Sequence, residues 1–351
     1  MSEPSRSAWA EPGPETVAPG VHRIPLPLPM DGLRAVNVYV LEDDDGLALI
    51  DGGWAIEQSR AELDRALGEL GHDLRDVRQV LVTHVHRDHY TQAVAIRRAV
   101  GARVLLGAGE RASMATLTPG GADILSEQPS RLRRIGAGAL ADELAAIPID
   151  RMETLEYYED PDVWLEPSDV PVGSRLLAAV PTPGHTRGHL VFHDAAAGLL
   201  FAGDHVLPHI TPSIGFEPDR PPLPLRDYLA SLERVLALPD AVLLPAHGPA
   251  AASVHARVHE LIAHHEDRLA ATRDALASGA AIALDVARRL RWTRHGRTYE
   301  ELGLFDRMLA VLESAAHLDV LVLRDEAVRD ESGDIIEYAV ATPGAAAAPG
   351  V

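Results

Sequence analysis

The chain has 351 residues, of which 46% are hydrophobic and 24% charged, a composition typical of a globular protein with one or two domains. It contains no cysteine and no lysine, which excludes disulfides, thiolate metal sites, a cysteine nucleophile and any Schiff-base or P-loop lysine. The net charge of −20 would repel a polyanion, so nucleic acid is an unexpected partner.

The first predicted elements are strands that follow a polar lead-in. Residues 1–20 are rich in Pro, Glu and Ser and lack the basic start and apolar core of a signal peptide, so we expect a disordered segment and a cytoplasmic protein. Strand-like sequence begins at Val21, and the apolar runs 37–41 and 47–50 flank an acidic turn ending in Gly46, the pattern of a β-hairpin. No apolar run reaches the length that spans a bilayer.

Helices and strands alternate in the next segment, which favours an α/β fold. Apolar residues at helical spacing predict helices at 59–70 and 93–100, and apolar runs predict strands at 77–82 and 103–106. Residues 110–166 are mostly helical and acidic in pattern, and we expect them to form an insertion or lid between the two halves of the core.

The second half of the core shows the same alternation. Its predicted elements are three strands, one helix and a last strand, at 175–180, 190–193, 199–202, 227–238 and 242–244. These elements complete a core domain predicted at 21–252.

The pattern changes to helices after about Ser253. Three helices and then two strands are predicted, at 254–278, 283–290, 305–316, 318–323 and 335–340. Helices followed by a hairpin predict a small winged-helix-like domain at 253–341. The Ala/Gly/Pro-rich tail, 342–351, is predicted to be disordered.

The strongest chemical signal directly follows the strand predicted at 77–82. The sequence Thr-His-Val-His-Arg-Asp-His supplies four candidate metal ligands, His84, His86, Asp88 and His89. His84 and His86 are two residues apart and face the same way if the extended backbone continues. Neutral imidazole suits zinc, and the carboxylate of Asp88 adds a harder ligand. The alternative, a solvated loop that is rich in histidine by chance, is much less favoured.

Three more segments place a ligand-type side chain just beyond a predicted strand. His185 lies in Thr-Pro-Gly-His-Thr-Arg-Gly-His, Asp204 in Gly-Asp-His, and His247 in Ala-His-Gly. A glycine beside each of them allows a close approach of the backbone. Because the loops beyond strand ends present the functional groups of an α/β sheet, these side chains are expected to meet.

With these segments and the strand-turn at 49–53, the sequence from Val21 to Pro249 resembles the metallo-β-lactamase superfamily. The resemblance implies an αββα sandwich with two metals at one edge of the sheets. It also implies a ligand set with Asp204 bridging both metals, the first metal being held by His84, His86 and His185 and the second by Asp88, His89 and His247. Asp51 matches a position that supports a ligand through a hydrogen bond.

The complete ligand set implies two-metal hydrolysis. Two Zn²⁺ ions per chain are expected, with iron or manganese as alternatives at the same ligands. Metal binding lowers the pKa of water, so a hydroxide between two cations is a nucleophile at neutral pH. Asp88 or Asp204 is expected to be catalytic by accepting the proton of the attacking water.

The expected substrate is a small-molecule ester or thioester. The stretch 182–190 and the pair Asp204-His205 resemble the glyoxalase II-like branch, which implies a thioester of glutathione, coenzyme A or acyl-carrier type. Tyr90 stands where many relatives have a small residue, so it is expected to alter the pocket floor. Arg187 and His209 are further candidate substrate contacts, and most other histidines near the motifs are expected to support the ligands by hydrogen bonds.

The C-terminal region leaves other functions open. A lactamase core with a winged-helix-like domain is also similar to a lactamase-beta-like endoribonuclease and to fungal polyketide thioesterases, but acidic residues outnumber arginines beyond Ser253. Within the basic stretch 288–297, Arg291 and Arg294 are candidates for binding phosphate, against the simpler interpretation of a solvated helix end. The alternatives are therefore a phosphodiesterase or endoribonuclease, a lactonase and, least favoured, a non-catalytic winged-helix module. The number of chains in a homo-oligomer is left open.

Overall fold

A computed structural model describes residues 8–29, 32–43, 45–117, 127–146, 156–217 and 219–341 of the chain. Within these residues fourteen strands form three sheets, and nine helices pack on them or extend the chain beyond them. None of the helices in these described ranges is both long and apolar enough to cross a membrane.

The larger sheet has seven strands arranged in chain order. Its first four strands are antiparallel neighbours, and the remaining three extend it in parallel. The predicted hairpin at 37–50 is confirmed, with Asp43 paired opposite Gly46. The strands are β1 (Glu15–Ala18), β2 (Val21–Pro27), β3 (Ala35–Asp43), β4 (Gly46–Ile50), β5 (Val77–Val82), β6 (Arg103–Gly107) and β7 (Val163–Leu165).

The second sheet has five strands in the order β12-β11-β10-β9-β8. All its neighbours are antiparallel except β11 and β12, which a crossover helix joins in parallel. The strands are β8 (Ser168–Val172), β9 (Arg175–Pro181), β10 (Leu190–Asp194), β11 (Leu199–Gly203) and β12 (Val242–Pro245).

The two sheets pack face to face with helices outside, which confirms the αββα sandwich. Side chains alternate along β3: Tyr39 and Leu41 point between the sheets, where the Tyr39 ring lies 5.4 Å from that of Phe201, whereas Val38 and Val40 pack under the outer helices. The helices are α1 (Glu57–Glu69), α2 (Arg87–Val100), α3 (Arg111–Leu117), α4 (Gln128–Arg134), α5 (Gly138–Ala145) and α6 (Pro224–Leu236).

The C-terminal region consists of α7 (Val254–Ala277), α8 (Ala283–Arg289), α9 (Leu304–Leu323) and an antiparallel hairpin of β13 (Ala327–Asp330) and β14 (Glu337–Val340). Its apolar residues form one continuous core with α6 and the outer face of the five-stranded sheet. The strand predicted at 318–323 is wrong, because this run is the last part of α9. A short apolar run is ambiguous between strand and buried helix, and here burial on several faces decides for helix. The likeness to winged-helix domains stays a prediction.

Three other boundaries differ from the sequence prediction. Residues 15–18, expected in a disordered lead-in, form edge strand β1 because they pair with β2. Helix α2 begins at Arg87, six residues before the predicted start. The segment 110–166 contains α3 to α5 but ends in β7, which belongs to the main sheet. Residues 1–7, 118–126, 147–155 and 342–351, and the predictions made for them, lie outside the described residues.

Candidate metal centre

Four loops meet at one edge of the sandwich, each just beyond a strand. They follow β5, β9, β11 and β12, and together with the first turn of α2, which holds Asp88 and His89, they contain all seven candidate ligands. Backbone hydrogen bonds join the two sheets at this edge, from Leu190 N to Thr83 O (2.8 Å) and from Asn37 N to Ala246 O (2.7 Å). The fold therefore brings together side chains that are far apart in sequence.

The first group of donor atoms comes from three histidines and one aspartate. His84, His86, His185 and Asp204 each offer an atom within 4.8 Å of the others. Nε2 of His185 lies 3.1 Å from Nδ1 of His86 and 3.4 Å from Oδ2 of Asp204. Nε2 of His84 is 4.0 Å from the same oxygen. Three imidazoles and a carboxylate supply four donor atoms of the types and number that zinc prefers.

The second group comes from Asp88, His89 and His247. Nε2 of His247 lies 3.4 Å from Oδ2 of Asp88 and 3.3 Å from Oδ1 of Asp204. Nε2 of His89 is 3.6 and 3.7 Å from these two oxygens. The two oxygens of Asp204 thus face different groups, which is the geometry of a bridging carboxylate.

Several of the candidate ligand atoms make no hydrogen bond among the described residues. Nε2 of His84, His89 and His247 and Oδ1 of Asp204 are buried and make no hydrogen bond within the described residues. Buried polar atoms without partners are costly unless something else satisfies them. Since these atoms converge on common points and are good ligands for divalent cations, the residues fit a pair of metal ions.

The opposite nitrogen of four ligand rings is held by a hydrogen bond. His84 Nδ1 lies 3.1 Å from Thr83 Oγ1, and His89 Nδ1 lies 2.9 Å from Asp51 Oδ2. His185 and His247 have their Nδ1 atoms 2.9 and 2.8 Å from the carbonyl oxygens of Ser213 and Ala35. Such bonds fix the tautomer and turn the lone pair of Nε2 towards the centre.

The two groups differ in their electrostatics. Burial, with the neighbouring imidazoles, holds the pKa of His84 well below its usual value, and burial lowers the pKa of His86 to about 3. Burial also acts to lower the pKa of His89, but the carboxylates of Asp88, Asp51 and Asp204 outweigh it and raise this pKa to about 10. The imidazole rings of the first group are therefore neutral. In the second group, the negative charge of the carboxylates keeps His89 protonated, and a metal ion would replace that proton.

Asp51 supports both groups from the turn after β4. Its Oδ1 accepts a hydrogen bond from Thr83 N (2.7 Å), and its backbone φ is 63°, a conformation that Asp tolerates better than most residues. Thr83 Oγ1 hydrogen-bonds both Asp51 and His84, so Asp51 supports His84 through Thr83, and it hydrogen-bonds His89 directly. This placement agrees with a supporting hydrogen bond.

We expect Asp51→Asn to weaken zinc binding about 10- to 100-fold, with the larger loss at the second group. The amide places an NH₂ where a carboxylate oxygen accepts a proton, so His89 loses its fixed orientation. Competition with a chromophoric chelator measures the two affinities. Parent-like affinity at both sites would contradict this role.

Other histidines near the motifs support the loops. Nε2 of His189 accepts from Asp204 N (3.2 Å), and its Nδ1 lies 2.8 Å from Thr182 Oγ1. Gly203 precedes Asp204 with φ of 50°, and a Cβ there would lie 2.7 Å from His189 Nε2, so this close approach requires glycine. His205 points away from the centre, its ring 5.1 Å from that of Tyr228.

The structure does not bring all predicted substrate residues to the centre. Tyr90 is fully buried, donates to the carbonyl oxygen of Glu159 and stacks on Tyr158 at 6.1 Å. It faces the core because α2 begins earlier than predicted, so the expectation that it contacts substrate is corrected. Arg187 follows the His185 loop, but its Nη2 pairs with Asp219 Oδ2 at 3.1 Å.

The remaining three substrate candidates are exposed. His209 lies in a loop that Arg257 of α7 anchors through the carbonyl oxygens of Leu207 and Ile210. Arg291 and Arg294 lie beyond α8 with exposed side chains, and Arg294 Nε is 3.2 Å from His295 Nε2. Their roles stay predictions.

Two residues near the centre, Phe216 and Glu110, were not predicted from the sequence. Phe216 is half-buried, with its ring 6.5 Å from that of His86 and 5.2 Å from that of Phe305. Glu110 is buried beneath the loops, although its segment was predicted as an insertion. No local pattern marks either residue, since both gain their surroundings from distant segments.

Comparisons with known proteins agree with this geometry. The family model described as the metallo-beta-lactamase superfamily matches residues 31–247. The crystal structure of a metallo-beta-lactamase family protein from Thermus thermophilus superposes with a TM-score of 0.70 at 28% identity, covering 93% of this chain and 100% of that one. The probable metallo-hydrolase YqjP of Bacillus subtilis is 24% identical over 309 residues, 85% of this chain and 90% of its own length.

One relative that is named for a specific activity matches a shorter part of the chain. A hydroxyacylglutathione hydrolase of Cereibacter sphaeroides is 30% identical over 129 residues, 37% of this chain. The chain spans 34% of that hydrolase's length and 62% of the length of another curated relative it matches. These matches leave the substrate to be inferred from the site.

Proposed function

This chain belongs to the metallo-beta-lactamase superfamily, and on that premise we propose that it is a metal-dependent hydrolase that uses two metal ions to hydrolyse a thioester. The observation that carries the two-metal part is the position of Asp204, whose two carboxylate oxygens face separate groups of ligands. A site for one ion would not need a carboxylate divided in this way.

We assign His84, His86 and His185 to the first ion, Asp88, His89 and His247 to the second, and Asp204 to both. Zinc is the proposed metal, with iron or manganese as alternatives at the same donors. When bound, such a pair would lower the pKa of water and polarise the scissile carbonyl.

The protein's own groups would then orient the reaction. Of the seven residues only His86 and Asp88 are partly exposed, so substrate would approach from their side. Asp88 is ionised at neutral pH: burial acts to raise its pKa, but His89 and His247 outweigh it and hold the pKa well below its usual range. It can accept a proton from water at the open side of the centre.

An apolar surface borders this opening. It consists of Phe216 and Phe305, which we call the phenylalanine ledge, and its outer ring, Phe305, is 47% exposed on the first turn of α9. Since the ledge adjoins His86, it supports a substrate with an apolar acyl group beside the scissile bond. A thioester joins such a group to a thiol carrier, and a glutathione or coenzyme A thioester would suit the cytoplasmic location that the sequence predicts.

We expect Phe305→Ala to raise KM for octanoyl-coenzyme A about fivefold and to leave acetyl-coenzyme A unchanged. The lost contact corresponds to about 1 kcal/mol of apolar burial that only the longer chain uses. Leu323→Ala is the control, because Leu323 is 51% exposed at the other end of α9, about 27 Å along the helix axis. Equal KM changes for both substrates, or for both variants, would contradict the ledge.

An activity panel tests the proposed function as a whole. The zinc-loaded protein is assayed with thioesters, lactones, bis-phosphodiesters and RNA, and each assay is repeated after chelation. We expect thioester hydrolysis to dominate and to disappear with the metal. Salt-sensitive RNA cleavage would favour the nuclease alternative, for which the net charge of −20 is unfavourable.

A further inference from the structure

Glu110 is a buried carboxylic acid that the proposed chemistry does not use. It directly precedes α3 and is 0% exposed. Its Oε1 accepts a hydrogen bond from the hydroxyl of Thr186, and its carboxyl group lies beside the backbone N–H groups of Val85 and Gly188. Removing this buried carboxyl would cost free energy, because the Thr186 hydroxyl would lose its acceptor.

Val85, Thr186 and Gly188 belong to the two loops that hold the first ion. Val85 lies between His84 and His86, and Thr186 directly follows His185. The backbone of Gly188 packs directly against that of Glu110, since a Cβ on Gly188 would lie 2.2 Å from the backbone nitrogen of Glu110. One carboxyl therefore spans the gap between the loop after β5 and the loop after β9.

A second buried acid, Glu217, makes a useful comparison. It is 1% exposed and accepts from Arg187 N (2.7 Å) and Ser113 Oγ (3.1 Å). It thus holds only the His185 loop and makes no hydrogen bond, among the described residues, to the segment between His84 and His86. Burial raises the pKa of both acids, and the charge of Glu110 raises that of Glu217 further.

We infer that Glu110 is a positioning residue that sets the distance of His185 from His84 and His86, and thereby the affinity of the first metal site. This inference rests on the proposed two-metal centre. Ligand atoms must be held to within about 0.5 Å for tight binding, and the ligands come from two loops that can shift relative to each other. A buried carboxyl that is bonded to Thr186 in one loop and lies beside Val85 in the other restricts that shift.

Cobalt titration tests the inference without reference to activity. The visible spectrum of Co²⁺ reports its coordination geometry, and a His247→Ala background weakens the second group so that the first fills alone. In this background we expect Glu110→Gln to weaken Co²⁺ binding about 10- to 100-fold and to alter the spectrum. Glu217→Gln, the matched control, is expected to change the affinity less than about threefold.

Urea unfolding of the metal-free proteins separates positioning from general destabilisation. We expect similar unfolding free energies for the two Gln variants, although only Glu110→Gln weakens cobalt binding. Equal affinity losses in the two variants, or parent-like binding by Glu110→Gln, would overturn the inference. Failure of the otherwise unaltered protein to bind Co²⁺ would overturn the metal centre itself, which is a different result.

If Glu110→Gln does not fold, substitutions of Thr186 test the same role of Glu110 with a smaller change to the buried site. Thr186→Val removes the hydroxyl that donates to Glu110, and Thr186→Ser retains it. We expect weaker cobalt binding for Thr186→Val and near-parent binding for Thr186→Ser. The same affinity for both variants would count against the inference.

Discussion

Asp204→Asn is expected to lower kcat for the best substrate at least ~1000-fold, which corresponds to about 4 kcal/mol of transition-state stabilisation. The physical reason is that Asp204 is shared: its Oδ2 lies 3.4 Å from His185 Nε2 and its Oδ1 lies 3.3 Å from His247 Nε2. An amide offers one oxygen and one NH₂, so it cannot be a ligand on both sides. Steady-state kinetics and metal analysis of the same preparation measure the effect.

A second buried aspartate provides the control for this substitution. Asp194 is 2% exposed in β10 and accepts from Arg175 Nη1 at 2.8 Å, away from both groups of ligands. Asp194→Asn is expected to lower stability but to leave kcat and metal content near those of the parent. If Asp204→Asn held two ions and kept its activity, the bridging role would be wrong.

Removal of metal is expected to abolish hydrolysis and to destabilise the fold, and both effects should reverse when zinc is added. An ion present at 100 times its dissociation constant stabilises the protein that binds it by about 2.7 kcal/mol. The ligands come from both sheets, so an ion bound to them links both halves of the sandwich. Thermal unfolding with and without chelator measures the stability, and the panel substrates measure activity.

Reconstitution identifies the metal and provides the control for the chelator. Zinc, iron and manganese are added separately to the same metal-free protein, and activity is compared with the number of ions bound. We expect full activity only when two ions are bound per chain. Activity that persists after complete removal of metal would exclude two-metal hydrolysis and would return the other functions to consideration.

Much of the fold could be predicted because its signals are local. The strand at 77–82 has the bounds of β5, and the hairpin at 37–50 follows from two apolar runs and an acidic turn with Gly46. Errors arose where a local pattern was ambiguous. Residues 318–323 are apolar enough for a strand or a buried helix, and packing within the C-terminal core selects the helix.

Near the metal centre, local pattern and tertiary packing contribute different residues. Each candidate ligand follows a predicted strand and lies next to a glycine or within two residues of another candidate ligand, which the sequence displays. Tyr90 stands beside His89 in sequence, yet the helical turn directs it into the core. Position along the chain therefore locates the ligands better than it locates the residues around them.

The sequence by itself determined most strands and helices of the core and the seven side chains with metal-binding chemistry, because periodicity and residue type act over a few neighbouring positions. Only the tertiary structure decided which oxygen of Asp204 faces which group of ligands, that the phenylalanine ledge borders His86, and that Glu110 lies against two loops. These features depend on contacts between segments up to about 160 residues apart, and burial by distant segments leaves no trace in local sequence.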